Sequence, residues 1–327
     1  MTAVILINWN GADDTIACLA SLEKASGDFC VVVADNGSTD DSVQRLVAYA
    51  ATSPLRLEIL PLGRNWGFAA GNNRAIAFAR DRFAPDSYML LNNDTEVTPD
   101  FMTKLQAVRA ECPGLKVLGP LICYWSDKNR IWSCGGKLIF GSRKGYYRDA
   151  DVSAATGSAP YSLMDVQFIS GCALFADASL VDDDGYLLTE RFFFGEEDYE
   201  FALRMRKAGE EMMIVRDSVI YHKVSSSARK FSTKGTLGRD YVYYLGRLIA
   251  SRDYYGRLSF ALICLLTGLS CVRYFHRDGL GWRQACALSL RLLRDAHRKD
   301  GIDYDDFKAI VLDGTYFEES SHAAEQE

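Results

Sequence analysis

The sequence contains little of what stabilises fibrous, disordered or disulfide-bonded proteins. Only 7 of the 327 residues are proline, and no low-complexity tract or internal repeat is evident, so we exclude a collagen-like or mostly disordered chain. The nine cysteines are odd in number and form no C-x-x-C pair. This pattern argues against a disulfide framework and a structural zinc site, and it predicts a reduced, cytoplasmic protein.

An excess of positive charge is also missing. Lys and Arg total 37 against 43 Asp and Glu, which gives a formal net charge of -6. Sequence-independent binding to nucleic acid requires a basic protein, so we expect no nucleic-acid partner. The apolar N-terminus, MTAVILINWNG, has neither the basic region nor the small-residue cleavage site of a signal peptide. We expect it to form a first buried strand.

The first half of the sequence alternates short β-rich runs with helical patterns. This order implies an α/β fold with a mainly parallel sheet that helices cover on both faces. The predicted strands are 3–7, 30–34, 55–60 and 88–91, and the predicted helices are 13–24, 42–49, 68–83 and 101–108. Later strands are expected at 117–123, 137–140, 165–175, 212–215 and 218–221, with an irregular stretch at 143–160 and a helix at 197–208. We divide the chain into a domain of residues 1–230 and a helical region of residues 231–327.

Polar residues come directly after three of the predicted strands. Asn8 follows the first strand, Asp35 follows the second, and the fourth is followed by Asn92, Asn93 and Asp94. Ligands of open α/β sheets bind at the carboxyl ends of the strands, so we expect these side chains to converge on one site. Turn formation alone is the alternative, because Asn and Asp commonly begin turns.

Six motifs occur in an order that resembles family 2 glycosyltransferases with the GT-A fold. The motifs are VILINWNG, VVVADNGSTDDS, RNWGFAAGNN, LLNNDTEV, FFFGEEDYEFALRMRKAG and IYHKVSSS, and they cover about residues 3 to 227. The chain is similar in particular to bacterial enzymes that build rhamnose-containing and other surface polysaccharides. The resemblance implies a Rossmann-like GT-A catalytic domain and an inverting, metal-dependent transfer of a sugar from a nucleotide-sugar.

By this resemblance, a set of polar residues binds the nucleotide-sugar. Asp35 is expected to accept a hydrogen bond from an N–H group of a pyrimidine base, since an ionised carboxylate only accepts; a helix-entry cap is the alternative. In RNWGFAAGNN, Gly67 and Gly71 allow the backbone to approach the ligand closely. The alternative interpretation of this motif is a loop followed by a helix start with a buried face. The expected donor-binding residues are Asn8, Asp35, Arg64, Asn65, Asn72, Asn92 and Asn93.

LLNNDTEV aligns with the D-x-D element of the family. Asp94 is the expected ligand of Mg²⁺ or Mn²⁺, which prefer hard oxygen donors. Asn92 replaces the first acid of the element, so fewer charges face the metal, although an amide can still bind a ribose hydroxyl. His222 is implied to hold the metal or the diphosphate. The further candidates for contact with the diphosphate are Lys223, Ser225, Ser226 and Arg229.

The motif GEEDYEF carries the E-D element of the family, with Asp198 as the expected general base and Glu197 as the alternative. Acids are favoured at a helix N-terminus by the macrodipole alone. That effect explains Glu196 and Glu200 but not the aromatic run at 191–195 just before them. An apolar wall beside a carboxylate raises its pKa and excludes water, and both effects suit a base.

Two segments near the C-terminus predict contact with an anionic membrane surface. The apolar run 258–271 is flanked by Arg257 and Arg273 and is well short of the roughly 20 residues that span a bilayer. Residues 282–298 combine arginines with leucines and a tryptophan, which is typical of interfacial helices. We expect a peripheral position on the inner face of the plasma membrane. Packing in the protein core is the alternative for 258–271.

We therefore expect a glycosyltransferase that uses a dTDP- or UDP-sugar and a glycan or polyprenol-linked acceptor. By resemblance, dTDP-rhamnose is the leading donor. A sugar nucleotidyltransferase usually carries a Gly-rich, Arg/Lys-bearing loop where this sequence has INWNGADD, and a glycosidase needs two carboxylates across the bond. A non-catalytic sugar-nucleotide-binding protein is the alternative from another class; Asp94, Asp198 and His222 argue against it.

Overall fold

Strands and helices alternate along the first part of the chain, as the sequence predicts. The computed structural model describes residues 1–146, 163–224 and 236–317. The predicted irregular stretch lies outside these residues from 147 to 160, and so do Ser225, Ser226 and Arg229. In chain order the elements are β1 (Thr2–Asn8), α1 (Ala12–Leu22), β2 (Phe29–Asp35), α2 (Ser42–Ala50), β3 (Leu57–Pro61), α3 (Phe68–Phe83), β4 (Ser87–Asn92), β5 (Thr95–Val97), α4 (Phe101–Glu111), β6 (Val117–Tyr124), β7 (Ile131–Ser133), β8 (Gly136–Ile139), β9 (Ser142–Gly145), β10 (Leu163–Val166), β11 (Ala173–Asp177), α5 (Glu197–Ala208), β12 (Met212–His222), α6 (Leu237–Tyr254), α7 (Arg257–Arg277), α8 (Trp282–Arg298) and α9 (Tyr304–Phe307).

In the described part of the chain, ten of the strands form one sheet. Its order is β10-β12-β6-β11-β4-β1-β2-β3, with β5 paired to β12 and β7 paired to β6. β1 runs parallel to β2 and β4, and β2 runs parallel to β3. β11 is antiparallel to both of its neighbours, β4 and β6. The carboxyl ends of β1, β2 and β4 therefore meet at one edge of the sheet.

The second half of the sheet differs from the prediction in two places. Residues 165–175 form two strands instead of one, because a turn in which the Ser170 carbonyl accepts from Ala173 N separates β10 from β11. Residues 212–222 form one strand instead of two. The register of β12 against β6 shifts between Val215 and Val219, and such a bulge absorbs extra residues without ending the strand.

The central strands are buried on both faces, which explains their continuous apolar runs. Val4, Leu6 and Val31 are fully buried in the sheet. They belong to one core cluster with Leu19 from α1 and Phe101 from α4. Helix packing against the parallel strands thus supplies the apolar burial that holds the sheet edge in place.

The chain divides into two compact units. The first comprises residues 1–138, 143–189 and 201–224, and the second comprises residues 139–142, 190–200 and 225–327. The predicted division at residue 230 gives two continuous segments of sequence. The observed units are discontinuous in sequence, because residues 190–200 belong to the second unit. The large helices α6, α7 and α8 of the second unit agree with the helical C-terminal region expected from the sequence.

Helix α7 is longer than the predicted apolar run, because its flanking arginines continue the helix. It has 21 residues, and by length and composition it could cross a membrane, although a third of its apolar window is buried inside the protein. One face packs within the second unit, where Ser289 of α8 donates to the Gly268 carbonyl at 2.8 Å. The residues of this buried face are Phe260, Ile263, Cys264, Gly268, Cys271 and Phe275.

Candidate active site

The ends of β1 and β2 meet at a buried polar cluster. The register places Asn8 beside Asp35, and Asn8 Nδ2 donates to Asp35 Oδ2 at 2.7 Å. Ser38 donates from its backbone N to Oδ1 at 2.9 Å and from its hydroxyl to Oδ2 at 2.6 Å. An ionised carboxylate has about four acceptor positions. Asp35 therefore keeps one of these acceptor positions, on Oδ1.

A chain of hydrogen bonds connects this cluster with the end of β4. Asn93 Nδ2 donates to Thr15 Oγ1 at 2.8 Å, and the Thr15 hydroxyl lies within hydrogen-bond distance, 2.8 Å, of Asn8 Oδ1. Asn92, one position earlier, pairs with Ile7 in the β1–β4 register. The polar residues predicted at this edge are thus brought together. Sequence reasoning missed Thr15, because a single threonine in a helical pattern gives no signal.

Asn36 joins the loop after β2 to the loop after β3. Its Nδ2 donates to Asn65 Oδ1 at 3.1 Å and to the Gly67 carbonyl at 3.0 Å. Its Oδ1 accepts from Trp66 N at 3.0 Å, and Asn65 Oδ1 also accepts from Gly67 N at 2.9 Å. Asn65 therefore organises the glycine-rich loop. Asn36 is a second residue that sequence reasoning missed, because its position in the sequence DNGS indicates only a turn.

Arg64 belongs to a stack of two guanidinium groups on an indole ring. The guanidinium carbons of Arg64 and Arg74 lie 3.6 Å and 3.7 Å from the centroid of the Trp66 ring. Gly37 has a φ of +76°, and a Cβ at this position would lie 2.4 Å from the Arg64 backbone, so only glycine permits this approach. Cation–π contacts orient both cations, and such ordered guanidinium groups suit a diphosphate.

The two asparagines early in α3 bind backbone groups. Asn72 is buried and donates to the Phe68 carbonyl at 2.9 Å. Asn73 donates to the Leu188 carbonyl at 2.8 Å, and its Oδ1 accepts from the amides of Leu187 and Leu188 at 3.1 Å each. These bonds are those of a helix start with a buried face, which was the alternative for this motif. Contact between Asn72 and the donor stays a prediction.

Asp94 and His222 face each other where β5 pairs with β12. His222 lies opposite Thr95 in the antiparallel register, and Lys223 N donates to the Asp94 carbonyl at 3.0 Å. His222 Nε2 lies 3.0 Å from Asp94 Oδ1, and both side chains are buried. Strand pairing therefore unites two residues that are far apart in the sequence.

The donor atoms of this pair fit one divalent cation. Within the described ranges, no group of three or more His, Cys, Asp or Glu side chains could hold a metal. Asp94 and His222, whose donor atoms lie 3.0 Å apart, are the residues that would hold a divalent cation. His222 Nδ1 is buried and has no hydrogen-bond partner in that part of the chain. Two protein ligands suffice for Mg²⁺ when substrate phosphates and water complete its shell. Burial raises the pKa of the nearby Cys18 thiol to about 12, so this thiol stays protonated and is a poor ligand.

Helix α5 begins at Glu197, directly after two residues with left-handed backbone. Gly195 has a φ of +89° and Glu196 a φ of +68°, and the latter costs a non-glycine residue about 1–2 kcal/mol. A buried ion pair holds Glu196, with Arg247 Nε 3.2 Å from Glu196 Oε2. Glu197 is buried and Asp198 is half-buried. All of these residues belong to the second unit, so tertiary contacts set the entry of the E-D helix.

Replacing Arg247 by methionine should destabilise the protein by about 3–5 kcal/mol, because the Glu196 charge would stay buried without its cation. The free energy of unfolding in urea measures this loss. The matched control is Arg82→Met, which removes an exposed partner of Glu58 and should cost no more than about 1 kcal/mol. Equal losses for the two variants would show that the buried pair does not hold the entry of α5.

Comparisons with known proteins find glycosyltransferases among the relatives and the structural neighbours. Residues 3–151 match the model of the family described as "Glycosyl transferase family 2". A curated relative, the "Low-salt glycan biosynthesis hexosyltransferase Agl10" of Haloferax volcanii, is 24% identical over 207 residues, which are 63% of this chain and 61% of that protein. The chain thus spans less than two thirds of that relative.

Solved structures share the fold at low sequence identity. GalNAc-T7 with UDP, GalNAc and Mn²⁺ matches with a TM-score of 0.62 and 12% identity over 94% of this chain and 56% of that chain. The mannosyltransferase PcManGT from Pyrobaculum calidifontis, with GDP-Man and Mn²⁺, matches with a TM-score of 0.55 and 14% identity over 91% of this chain and 86% of that chain.

The fold and the family match together define the class of this protein. Residues 3–151 match the model of glycosyl transferase family 2, and the α/β architecture is the GT-A fold of the structural neighbours. The resemblance inferred from the six motifs is therefore confirmed at the level of family and fold.

Proposed function

We propose that this protein transfers a sugar from a nucleoside-diphosphate donor to an acceptor hydroxyl, with inversion at the anomeric carbon. The observation that carries the proposal is the Asp94–His222 pair at the carboxyl edge of a family 2 sheet. The remaining acceptor position of Asp35 suits a base N–H group, and Arg64 and Arg74 suit the diphosphate. GalNAc-T7 and PcManGT are described with UDP and GDP-Man respectively, which supports a nucleotide-sugar as the donor.

Asp94 and His222 are the residues that would hold Mg²⁺ or Mn²⁺. When bound, the metal neutralises negative charge on the departing nucleoside diphosphate. Both neighbours are described with Mn²⁺, which supports a divalent cation. The buried setting of Asp94 strengthens its interaction with a cation, because the local dielectric is low.

Asp198 accepts the proton of the attacking hydroxyl in this proposal. It is half-buried in the first turn of α5, so a substrate hydroxyl can approach it. Glu197 is more deeply buried and suits the approach of an acceptor less well. The ion pair between Glu196 and Arg247 keeps the entry of α5 in one conformation and thereby orients Asp198.

The donor that we propose first is dTDP-rhamnose, by the resemblance of the motifs, with UDP-sugars second. The name of Agl10 supports an acceptor in glycan synthesis, with a glycan or polyprenol-linked hydroxyl as the attacking group. The test is release of nucleoside diphosphate from a panel of donors with and without Mn²⁺. Binding without release would indicate a sugar-nucleotide-binding protein, and pyrophosphate release from a nucleoside triphosphate and a sugar phosphate would indicate a nucleotidyltransferase.

We also propose that the protein lies on the inner face of the plasma membrane. Leucines at three- and four-residue spacing form one outer face of α7, which we call the leucine face. Residues 257–298 contain seven arginines and two aspartates in a chain of net charge -6, so the charge of this region suits anionic lipid. The exposed fractions on the leucine face are Leu258 90%, Leu262 48%, Leu265 56%, Leu266 50% and Leu269 57%.

Replacing Leu262 and Leu266 together by glutamine should lower partition into anionic vesicles by roughly tenfold or more, since each leucine contributes about 1.5–3 kcal/mol when fully buried. Sedimentation with phosphatidylcholine–phosphatidylglycerol vesicles at low salt measures this partition. The control is Val47→Gln, which changes an exposed side chain on α2 and should leave sedimentation unchanged. A parent protein that stays in the supernatant would contradict a membrane partner. A parent protein that forms a dimer in solution, which the double replacement dissociates, would contradict it as well.

A further inference from the structure

A mainly apolar pocket lies within the second unit, beside the entry of the E-D helix. Its volume is about 350 Å³, which lies within the range of about 300–1,000 Å³ of small-molecule sites. Phe194 and Gly195, four and three residues before Asp198, form one part of its wall. The lining residues are Phe194, Gly195, Arg239, Asp240, Val242, Tyr243, Phe307 and Val311.

Close packing shapes this pocket. The Phe194 and Phe307 rings lie 6.1 Å apart between centroids. Near the start of α6, a Cβ on Gly238 would lie 2.4 Å from the Ile310 carbonyl oxygen, so glycine allows α6 to approach the turn that carries Val311. Tertiary packing therefore builds the walls, and the pocket does not depend on one loop.

Arg239 brings a cation with an unused donor to this apolar lining. Its Nε atom is buried and, in the part of the chain that the structure describes, has no hydrogen-bond partner. A buried guanidinium donor without a partner costs free energy, and an anionic ligand would remove that cost. Arg239 also lies in the first turn of α6, where the helix macrodipole favours negative charge.

Asp240 is the acidic group that such an anion would meet. Burial raises the pKa of its carboxyl, and the nearby Asp278 carboxylate raises it further, against the opposing charges of Arg277 and Arg239. Its proton is therefore retained to higher pH than that of an exposed aspartate. The lining thus offers an apolar wall, the Arg239 guanidinium and the Asp240 carboxyl group.

We propose that this pocket binds the first isoprenoid units and the adjoining phosphate of a prenyl-phosphate-linked acceptor. Apolar walls suit the hydrocarbon, and Arg239 suits the phosphate. The pocket adjoins the segment that carries Asp198, so the bound acceptor would present its sugar hydroxyl near the proposed base. The leucine face of α7 in the same unit suits a carrier that resides in a membrane. The assignment rests on the proposed function, because it makes the ligand the acceptor of that transfer.

The binding test uses geranyl phosphate as the probe, titrated calorimetrically into the full chain. Geranyl phosphate should bind more tightly than geraniol and much more tightly than inorganic phosphate. Val242→Phe fills the pocket and should weaken geranyl phosphate at least tenfold. Arg239→Gln should weaken geranyl phosphate about tenfold and leave geraniol unchanged. Phe194→Ala removes a partly exposed side chain from the pocket wall, so it should disturb folding less than a change in the core. It should also weaken the binding of geranyl phosphate.

Leu290→Ala, at an exposed position on α8, is the matched control and should bind geranyl phosphate as the parent does. The pocket assignment would be overturned if folded Val242→Phe and Phe194→Ala bound geranyl phosphate with unchanged affinity. It would also be overturned if inorganic phosphate alone bound tightly and Arg239→Gln did not weaken that binding. The donor-release assay of the proposed function is independent of this probe. Pocket binding without donor release would therefore refute the transfer function, whereas donor release with unaltered probe binding in the variants would refute the pocket.

Discussion

Asp198→Asn should lower sugar transfer by roughly 10²–10⁴-fold and leave the affinity for donor and metal nearly unchanged. Asparagine keeps the size and shape of the side chain but cannot take the proton of the acceptor hydroxyl. The base acts on the acceptor, so nucleotide binding does not depend on it. Transfer is measured from initial rates with saturating donor and Mn²⁺, and donor affinity is measured by calorimetry on the same preparation.

The neighbouring Glu197 supplies the matched control for this variant. Glu197→Gln removes a buried acid from the same helix turn and should lower transfer much less. If Glu197→Gln loses transfer instead, the base is Glu197 and the assignment is wrong by one residue. If both variants transfer at the parent rate, the base lies outside α5.

Asp94→Ala should abolish the metal dependence of donor binding, because it removes the only carboxylate that we assign to the metal. His222 alone would remain as a protein ligand, and imidazole alone is a poor match for Mg²⁺ or Mn²⁺, which prefer oxygen. Titration of UDP and dTDP with and without Mn²⁺ measures the effect. Asp94→Asn, which keeps the shape of the buried side chain, should show the same loss with less change in stability.

Asp177→Ala is the control for Asp94. Asp177 pairs with Ser87 in the β11–β4 register, at the opposite end of β4, and binds Arg109. Its replacement should leave metal-dependent binding unchanged. Unchanged metal dependence in Asp94→Asn would remove Asp94 from the ligand set and leave the His222 contact as an ordinary buried hydrogen bond.

Local periodicity predicted most of the α/β half of the fold. Helices α3 and α5 begin and end where the apolar spacing and the flanking glycines indicate, because these signals are local. The strand predictions were wrong at residues 165–175 and 212–222. A turn at Ser170 and a bulge in β12 depend on the partner strands, so a short apolar run does not reveal them.

The candidate site shows the same limit. Asn8, Asp35 and Asn93 could be placed at one sheet edge because parallel strands bring their carboxyl ends together. Thr15 and Asn36, which connect these residues, escaped notice because threonine and asparagine are frequent in helices and turns. By resemblance, the motif order implied that His222 holds the metal or the diphosphate, whereas its contact with Asp94 and the strand pairing that creates it are visible only in the structure.

The sequence by itself determined the class of fold and the polar edge of the sheet. Strand periodicity and the polar residues that follow each strand are signals contained in short stretches of neighbouring residues. Only the tertiary structure decided that Glu196 adopts a left-handed backbone against Arg247, and that Arg239 lies with a buried donor in an apolar pocket. Both depend on residues about 50 or more positions apart that packing brings together. Burial, which sets the cost of a charge without a partner, is a property of that packing and not of any short stretch of sequence.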